Sequence, residues 1–363
     1  MIFSTNSRNN ILTAPGITSG GSALIKKSSD EPGLRLNQPL GLGGVPAGNG
    51  FHKSSDEQIA KTFEAAWATG IRYFDTAPSY GNGLAERRLG RFLFNKKRDN
   101  YILSTKIGRL MYSNPDYIPG QDGQEGLFKG QLNFDWNFDY SAQATRRSIE
   151  DSLQRMGLTR FDIVFIHDIS PEQQMDDWTD YFGQAREGAI PELERMREEG
   201  IIKGWGMGVN KIAPALKSFE AGNPDILLSA TQYSLMNHRD ALEQLFPSCK
   251  ENNVSAVIGA PLNAGFLADK ERFNYGGTIT EEMQEKKDNM QKIANNHDVD
   301  LRSAALQFSY APSAVTSVVV GASQPKQMIE NVISMNTHIP NDFWKELKEE
   351  QLIAQSAPEP KND

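Results

Sequence analysis

The stretch Ile71-Arg72-Tyr73-Phe74-Asp75-Thr76-Ala77-Pro78-Ser79-Tyr80-Gly81 changes character halfway along. An apolar run, short enough for a buried strand, ends in Asp75, and a Pro- and Gly-punctuated turn then carries Tyr80. A carboxylate at a strand end followed by a phenol on the next loop suits proton transfer: the phenol exchanges the proton and the carboxylate positions a cation beside it. Two further apolar runs end in the same way. Tyr101-Ile102-Leu103-Ser104-Thr105 delivers Lys106, and Phe161-Asp162-Ile163-Val164-Phe165-Ile166 delivers His167-Asp168. Singly, each residue has a plainer reading as a turn former, a packed ring, a solvated ammonium or a satisfied histidine. Together they point to successive parallel strands whose C-terminal ends share one mouth, as in a barrel with helical crossovers.

Working outward, the rest of the chain supplies the remaining units. Gly41-Leu42-Gly43-Gly44-Val45-Pro46 has the glycine density of a phosphate loop. Pro46 stands where the G-x-G-x-x-G pattern needs its last glycine and no helix is expected to begin there, so the segment reads as the first barrel strand. Ser54 or Ser55 caps the next helix, which buries Ile59, Phe63, Ala66 and Trp67 and ends at Gly70. Residues 86–94 form a second helix with Leu89 and Leu93 inward, and residues 141–156 a third on Ile149, Leu153 and Met156. A fourth helix opens at Pro191 and stops at Gly200. Residues 201–209, 226–231, 254–260 and 315–320 give the fifth to eighth strands. Eight alternating strand and helix units predict a parallel (β/α)8 barrel. Residues 109–138 have no period and hold Pro115, Pro119, Gly120, Gly123, Gly126 and Gly130 among Tyr112, Tyr117, Phe128, Phe134 and Trp136. A loop of that length is expected to be functional and to wall the barrel mouth with aromatic rings.

The motifs Tyr73-Phe74-Asp75-Thr76-Ala77-Pro78-Ser79-Tyr80-Gly81, Ser104-Thr105-Lys106-Ile107-Gly108 and Phe165-Ile166-His167-Asp168 resemble those of the aldo-keto reductases, over about residues 36 to 335. The resemblance implies a TIM barrel that binds an extended nicotinamide dinucleotide, with Asp75, Tyr80, Lys106 and His167 as catalytic residues. It places Gly44, Asp75, Asn210, Gln232, Pro261, Asn263, Gly265, Leu267, Gly321, Ser323, Gln327, Glu330 and Asn331 against the cofactor. Asn210 and Gln232 would hold the carboxamide, since amides donate and accept at once. Gly321-Ala322-Ser323-Gln324-Pro325 leads into a helix running to about Ser334, whose start should offer free backbone N–H groups to a phosphate. NADPH-specific members carry Lys or Arg where Gly321 and Gln327 stand, which turns the expectation within NAD(P) toward NAD, although Lys326 is near. Gly259 stands where many reductases stack an aromatic on the nicotinamide. That departure, with Gly206-Met207-Gly208-Val209-Asn210, is more similar to the branch of aldose 1-dehydrogenases acting on L-fucose, L-galactose or D-threo-aldoses, and to pyridoxal 4-dehydrogenase. The implied reaction is oxidation of an aldose at C1 to a lactone. Tyr80 would exchange the proton, Lys106 would lower its pKa from the ordinary value of about 10, Asp75 would hold Lys106, and His167 would orient the substrate oxygen. Two alternatives remain: an NADPH-dependent aldehyde or ketone reductase using the same residues, and a non-catalytic cofactor-binding regulatory subunit.

Composition is consistent with this reading. Hydrophobic content of 38% and charged content of 23% fit a soluble globular protein, and a net charge of −8 argues against nucleic acid as a partner. No apolar run is long enough to span a bilayer. The lone Cys249 excludes an intrachain disulfide and suits a reducing, cytoplasmic setting. The five histidines are scattered, so no metal site is expected. The expected partner is a small sugar or aldehyde, and the oligomeric state stays open. Residues 1–35 read as a flexible extension, 36–356 as one barrel and 357–363 as a disordered tail.

Overall fold

Short β-branched and glycine-rich runs make the inner wall of the molecule. The computed structural model describes residues 24–27, 33–118 and 126–360. Its barrel strands are β1 (Leu40–Gly43), β2 (Tyr73–Asp75), β3 (Ile102–Ile107), β4 (Ile163–His167), β5 (Gly204–Val209), β6 (Ile226–Ala230), β7 (Ser255–Gly259) and β8 (Val315–Gly321). Each pairs in parallel with the next and β8 closes on β1, so the eight-stranded barrel expected from the alternation is present. Every strand residue but Gly43, His167 and Gly321 is buried, because helices cover the outside while side chains fill the inside. The interior holds Tyr73, Ile102, Ile163, Phe165, Ile226, Leu228, Val257 and Val319.

The N-terminal end of the barrel is stoppered by a hairpin, Ile25–Lys27 against Leu34–Leu36. Leu34 and Leu36 join the interior cluster, and Leu36 N donates to Thr316 Oγ1 at 2.7 Å. Ser255 Oγ donates to Leu34 O at 2.7 Å, and Arg35 donates to the carbonyls of Ser313, Ala314 and Val315. The barrel floor therefore recruits residues expected to be loose, since uncovered strand ends would leave apolar side chains in water. Residues 1–23 and 28–32 of that expected extension lie outside the described residues. The tail differs in the same way. Ala357 is buried and Glu359 pairs with Lys348 at 2.7 Å, while 361–363 lie outside the described residues.

Local sequence sets the crossovers. Ser55, not Ser54, caps the helix Asp56–Ala68 by accepting from Gln58 N at 3.1 Å, and Ser141 does the same for Ala142–Met156. The helix of Pro191 begins two residues earlier, at Ala189, because a proline is tolerated within the first turn. A single 3-10 turn, Pro46–Gly48, follows β1 where no helix was expected. Residues 109–138 are not a structureless loop: Arg109–Ser113 pairs antiparallel with Phe134–Phe138 and projects from the end of β3. Its exposed and part-buried positions follow no strict alternation, so the sequence shows no strand pattern there. Pro119, Gly120 and Gly123 lie outside the described residues.

One buried ion pair ties this outer layer to the barrel. Glu86, on the helix Leu84–Leu93, is fully buried; Thr105 Oγ1 donates to its Oε1 at 2.9 Å and Arg155 Nε to its Oε2 at 2.8 Å. Removing one partner of such a pair strands the other in a dry environment. Glu86→Ala should therefore lower unfolding stability by about 3–5 kcal/mol, read as a fall in the urea midpoint. A loss under about 1 kcal/mol would show that Arg155 reaches water instead.

Candidate active site

The C-terminal strand ends open into a cleft of about 1350 Å³ whose wall includes Asp75, Tyr80, Lys106 and His167. That exceeds what a drug-sized ligand fills. At its base, Lys106 Nζ donates to Asp75 Oδ2 at 2.7 Å and to Thr76 O at 2.9 Å. Ser104 Oγ donates to Asp75 Oδ1 at 2.7 Å, and Tyr73 OH lies 3.0 Å from Ser104 Oγ. Lys106 is 1% exposed and Asp75 3%, so each charge depends on the other for compensation. Gly81 aims the phenol: its φ of +66° lies in the left-handed region, and a Cβ there would sit 2.4 Å from Gly48 O. Tyr80 thereby lies with its ring 4.7 Å from Lys106 Nζ and 6.0 Å from the His167 ring. Tyr140 OH donates to His167 O at 2.8 Å and fixes the imidazole's backbone.

Electrostatics depart from the expectation in one respect. Tyr80 is pushed well above the usual phenol pKa by burial, with the carboxylates of Asp75 and Asp168 adding to the effect. The nearby Arg109 cation offsets this only in part. The phenol is thus a proton donor in the resting site. His167 is held well below 6.5 by burial, then by Lys106 and Arg109, so its imidazole is neutral near pH 7.

Three non-glycine residues directly after strands have positive φ: Asp168 after β4, Thr231 after β6 and Ala260 after β7. Such backbone costs energy and gathers where a binding surface needs a fixed shape. Asp168 is buried against Arg109, whose Nη2 lies 2.7 Å from its Oδ2. The Arg109 guanidinium in turn lies 4.7 Å from the Trp136 ring, and Phe128 packs against Tyr80 at 5.9 Å. Of the rings expected from residues 109–138 to wall the mouth, Tyr117, Phe128 and Trp136 line the cleft, whereas Tyr112 and Phe134 are exposed. Arg109 and Asp168 escaped the sequence reading as site residues. The signal was their position, one directly after the Lys106-Ile107-Gly108 motif and the other adjoining His167.

Of the expected cofactor contacts, Asp75, Asn210, Pro261, Gly265, Gly321, Ser323, Gln327, Glu330 and Asn331 line the cleft, and Gly44, Gln232, Asn263 and Leu267 do not. Gly44 is pressed against Asp75, its N–H on Asp75 O at 2.7 Å. Gln232 Nε2 turns back to Thr231 Oγ1 at 3.2 Å, and Asn263 Nδ2 donates to Asn274 Oδ1 at 3.0 Å. Leu267 is in the core. The helix Pro325–Asn336 starts at the far end of the cleft, and two of the backbone donors just ahead of it are not free as expected. Gln327 Oε1 accepts from Ser323 N at 2.9 Å and from Gln324 N at 3.2 Å, completing a capping box. At the same end, Glu330 accepts from Arg302 at 2.6 Å and lies 3.7 Å from Lys326 Nζ. A groove with ionisable groups at one end and a helix start with small residues at the other fits an extended dinucleotide.

Among the described residues, no cluster of three or more His, Cys, Asp or Glu is placed to hold a metal, and no helix is long and apolar enough to cross a membrane. The Cys249 thiol is buried, which pushes its pKa up to about 12.

The neutral imidazole can be checked directly. Nitrogen NMR of the labelled protein, with His167→Gln assigning the resonance, should show His167 uncharged from pH 5.5 to 8. A midpoint near the ordinary histidine value of about 6.5 would mean that burial and the two cations do not act as described.

Comparison with known proteins gives the same answer as the geometry. The chain is 38% identical over 337 residues to a D-threo-aldose 1-dehydrogenase of a Pseudomonas species, covering 90% of this chain and 99% of that one. It is 33% identical over 340 residues to a pyridoxal 4-dehydrogenase of Microbacterium luteolum (91% and 98%), and 28% identical over 311 residues to an L-galactose dehydrogenase of Arabidopsis thaliana (84% and 85%). In structure it resembles an aldo-keto reductase from Bacillus halodurans, with a TM-score of 0.66 at 21% identity over 93% of this chain and 97% of that one. It also resembles a glycerol dehydrogenase from Gluconobacter oxydans, with a TM-score of 0.65 at 19% identity over 94% and 98%. Residues 39–351 match the Aldo/keto reductase family, and the chain belongs to that family of NAD(P)-dependent oxidoreductases.

Proposed function

We propose that this protein oxidises an aldose at C1 to the corresponding lactone, with NAD as the preferred acceptor. The observation that carries the reading is the composition of the mouth. A half-buried phenol, a neutral imidazole and a carboxylate–guanidinium pair, Asp168 with Arg109, sit side by side, which suits a polyhydroxylated substrate better than a plain aldehyde. The likeness over nearly full length to aldose and pyridoxal dehydrogenases supports it.

A nicotinamide held in this cleft would supply hydride exchange with the substrate carbon, and this chain's residues handle the proton. Tyr80 OH exchanges it with the substrate oxygen and acts as base in oxidation and acid in reduction. His167, neutral, orients that oxygen as a hydrogen-bond partner. Lys106 and Asp75 hold the floor on which Tyr80 rests, and Asn210 offers its amide to the carboxamide. Tyr80→Phe should lower kcat/KM by about a thousandfold or more while leaving cofactor affinity within about twofold, an effect in the upper range for a lost acid–base group. Because the phenol is held protonated, kcat/KM for oxidation should rise about tenfold per pH unit from pH 7 to 9 while reduction stays level. An oxidation rate flat across that range would refute the assignment of the base.

The NAD preference rests on the far end of the cleft. Arg302 and Lys326, the cations beside the helix start, both face Glu330. Its carboxyl is held below the usual range chiefly by the Arg302 hydrogen bond, so it stays ionised and opposes a 2′-phosphate. Glu330→Gln should shift the NADPH-to-NADH affinity ratio toward NADPH by about fivefold or more, on the order of 1 kcal/mol. Initial rates decide the function: L-fucose or L-galactose with NAD should exceed propanal with NADPH in kcat/KM by about tenfold or more, and the reverse order would replace this proposal with carbonyl reduction.

A further inference from the structure

We infer that Asp168 is the specificity determinant for the hydroxyl on the carbon next to the reacting one, and that Arg109 holds its carboxylate in position for that task. The inference deepens the aldose reading given above and rests on it. Asp168 lines the cleft at the end of β4, immediately beyond His167. Its Oδ2 lies 2.7 Å from Arg109 Nη2, and its Oδ1 lies 3.5 Å from His167 Nε2. The two oxygens of a gauche vicinal diol are spaced by about one hydrogen-bond length. When the reacting oxygen meets His167 Nε2, the neighbouring hydroxyl is therefore within reach of Asp168 Oδ1, and a carboxylate accepts from it with the strength of a charge-assisted bond.

The surroundings suit recognition more than mere structural support. The carboxylate is buried, and its backbone is held by Asp168 N donating to Gly208 O at 3.2 Å. Its φ of +55° keeps the side chain directed by a conformation few residues adopt. Arg109 is fixed separately: Nη2 also donates to Gln173 Oε1 at 2.8 Å, and the guanidinium packs on Trp136 and Phe138 at 4.7 and 5.4 Å. Arg109 Nε is buried with no hydrogen-bond partner among the described residues. A hydroxyl, which can donate to a carboxylate, is the ligand chemistry that suits Asp168 in this cleft.

The test compares D-arabinose with 2-deoxy-D-ribose, which has the same remaining stereocentres and lacks only the C2 hydroxyl. Calorimetry on the protein saturated with NADH or NADPH, whichever binds more tightly, measures sugar affinity without turnover. The wild type should prefer D-arabinose by about tenfold or more. Asp168→Ala should bring the two sugars within about threefold and leave cofactor affinity within about twofold. Should the alanine variant fail to fold at this backbone angle, Asp168→Asn serves, because asparagine tolerates left-handed φ. Its single amide oxygen then answers Arg109, and the preference should still drop severalfold. Equal binding of both sugars by the wild type, or an undiminished preference in a folded variant, overturns the inference. If neither sugar binds, the aldose reading falls and this falls with it. A preference that depends on Asp168 without any NAD-linked oxidation keeps this inference and rejects that reading.

Discussion

The ion pair between Lys106 and Asp75 is the interaction on which the rest of the site depends. Both groups are almost completely removed from water, and at 2.7 Å neither is stable there without the other. The pair joins β2 to β3 at their C-terminal ends, and Ser104 and Thr76 complete its hydrogen bonding. Its ammonium lies 4.7 Å from the Tyr80 ring, while the turn at Gly81 sets the direction of the phenol. Burial, with the carboxylates of Asp75 and Asp168 adding to it, raises the Tyr80 pKa, so the phenol stays protonated.

A second charge pair governs the upper half of the mouth. Arg109 leaves β3 on a hairpin while Asp168 follows β4, and the left-handed turn at Asp168 brings the carboxylate back over His167. The two pairs, one at the base and one beside the imidazole, flank two uncharged groups, a phenol and an imidazole.

Much of this was legible along the chain. Asp75, Lys106 and His167 each terminate an apolar run, and a parallel barrel brings all such ends to one rim, so period and order were enough to foresee their meeting. The cofactor wall was harder. Pro261, Gly265, Gly321 and Asn331 line the cleft, whereas Gln232 and Asn263 spend their amides on Thr231 and Asn274. Whether an amide faces inward depends on the turn before it, here the positive φ of Thr231, and sequence carries no sign of that at a threonine. Gln327 gives the same lesson: it caps its own helix and fills the donors a phosphate would use.

By itself the sequence pointed to the barrel and determined the identity of the groups at the strand ends, because alternating apolar runs and helical periods are local properties that call for a parallel sheet, and eight such units suffice to close one. The tertiary structure decided the protonation states and the partners: burial raised the Tyr80 pKa, Asp75 came to pair with Lys106, and a hairpin folded Arg109 onto Asp168. Residues 34–36 were likewise drawn beneath the barrel by its uncovered floor. These outcomes depend on distances between residues remote in the chain and on exclusion of water, which exist only once the fold has closed.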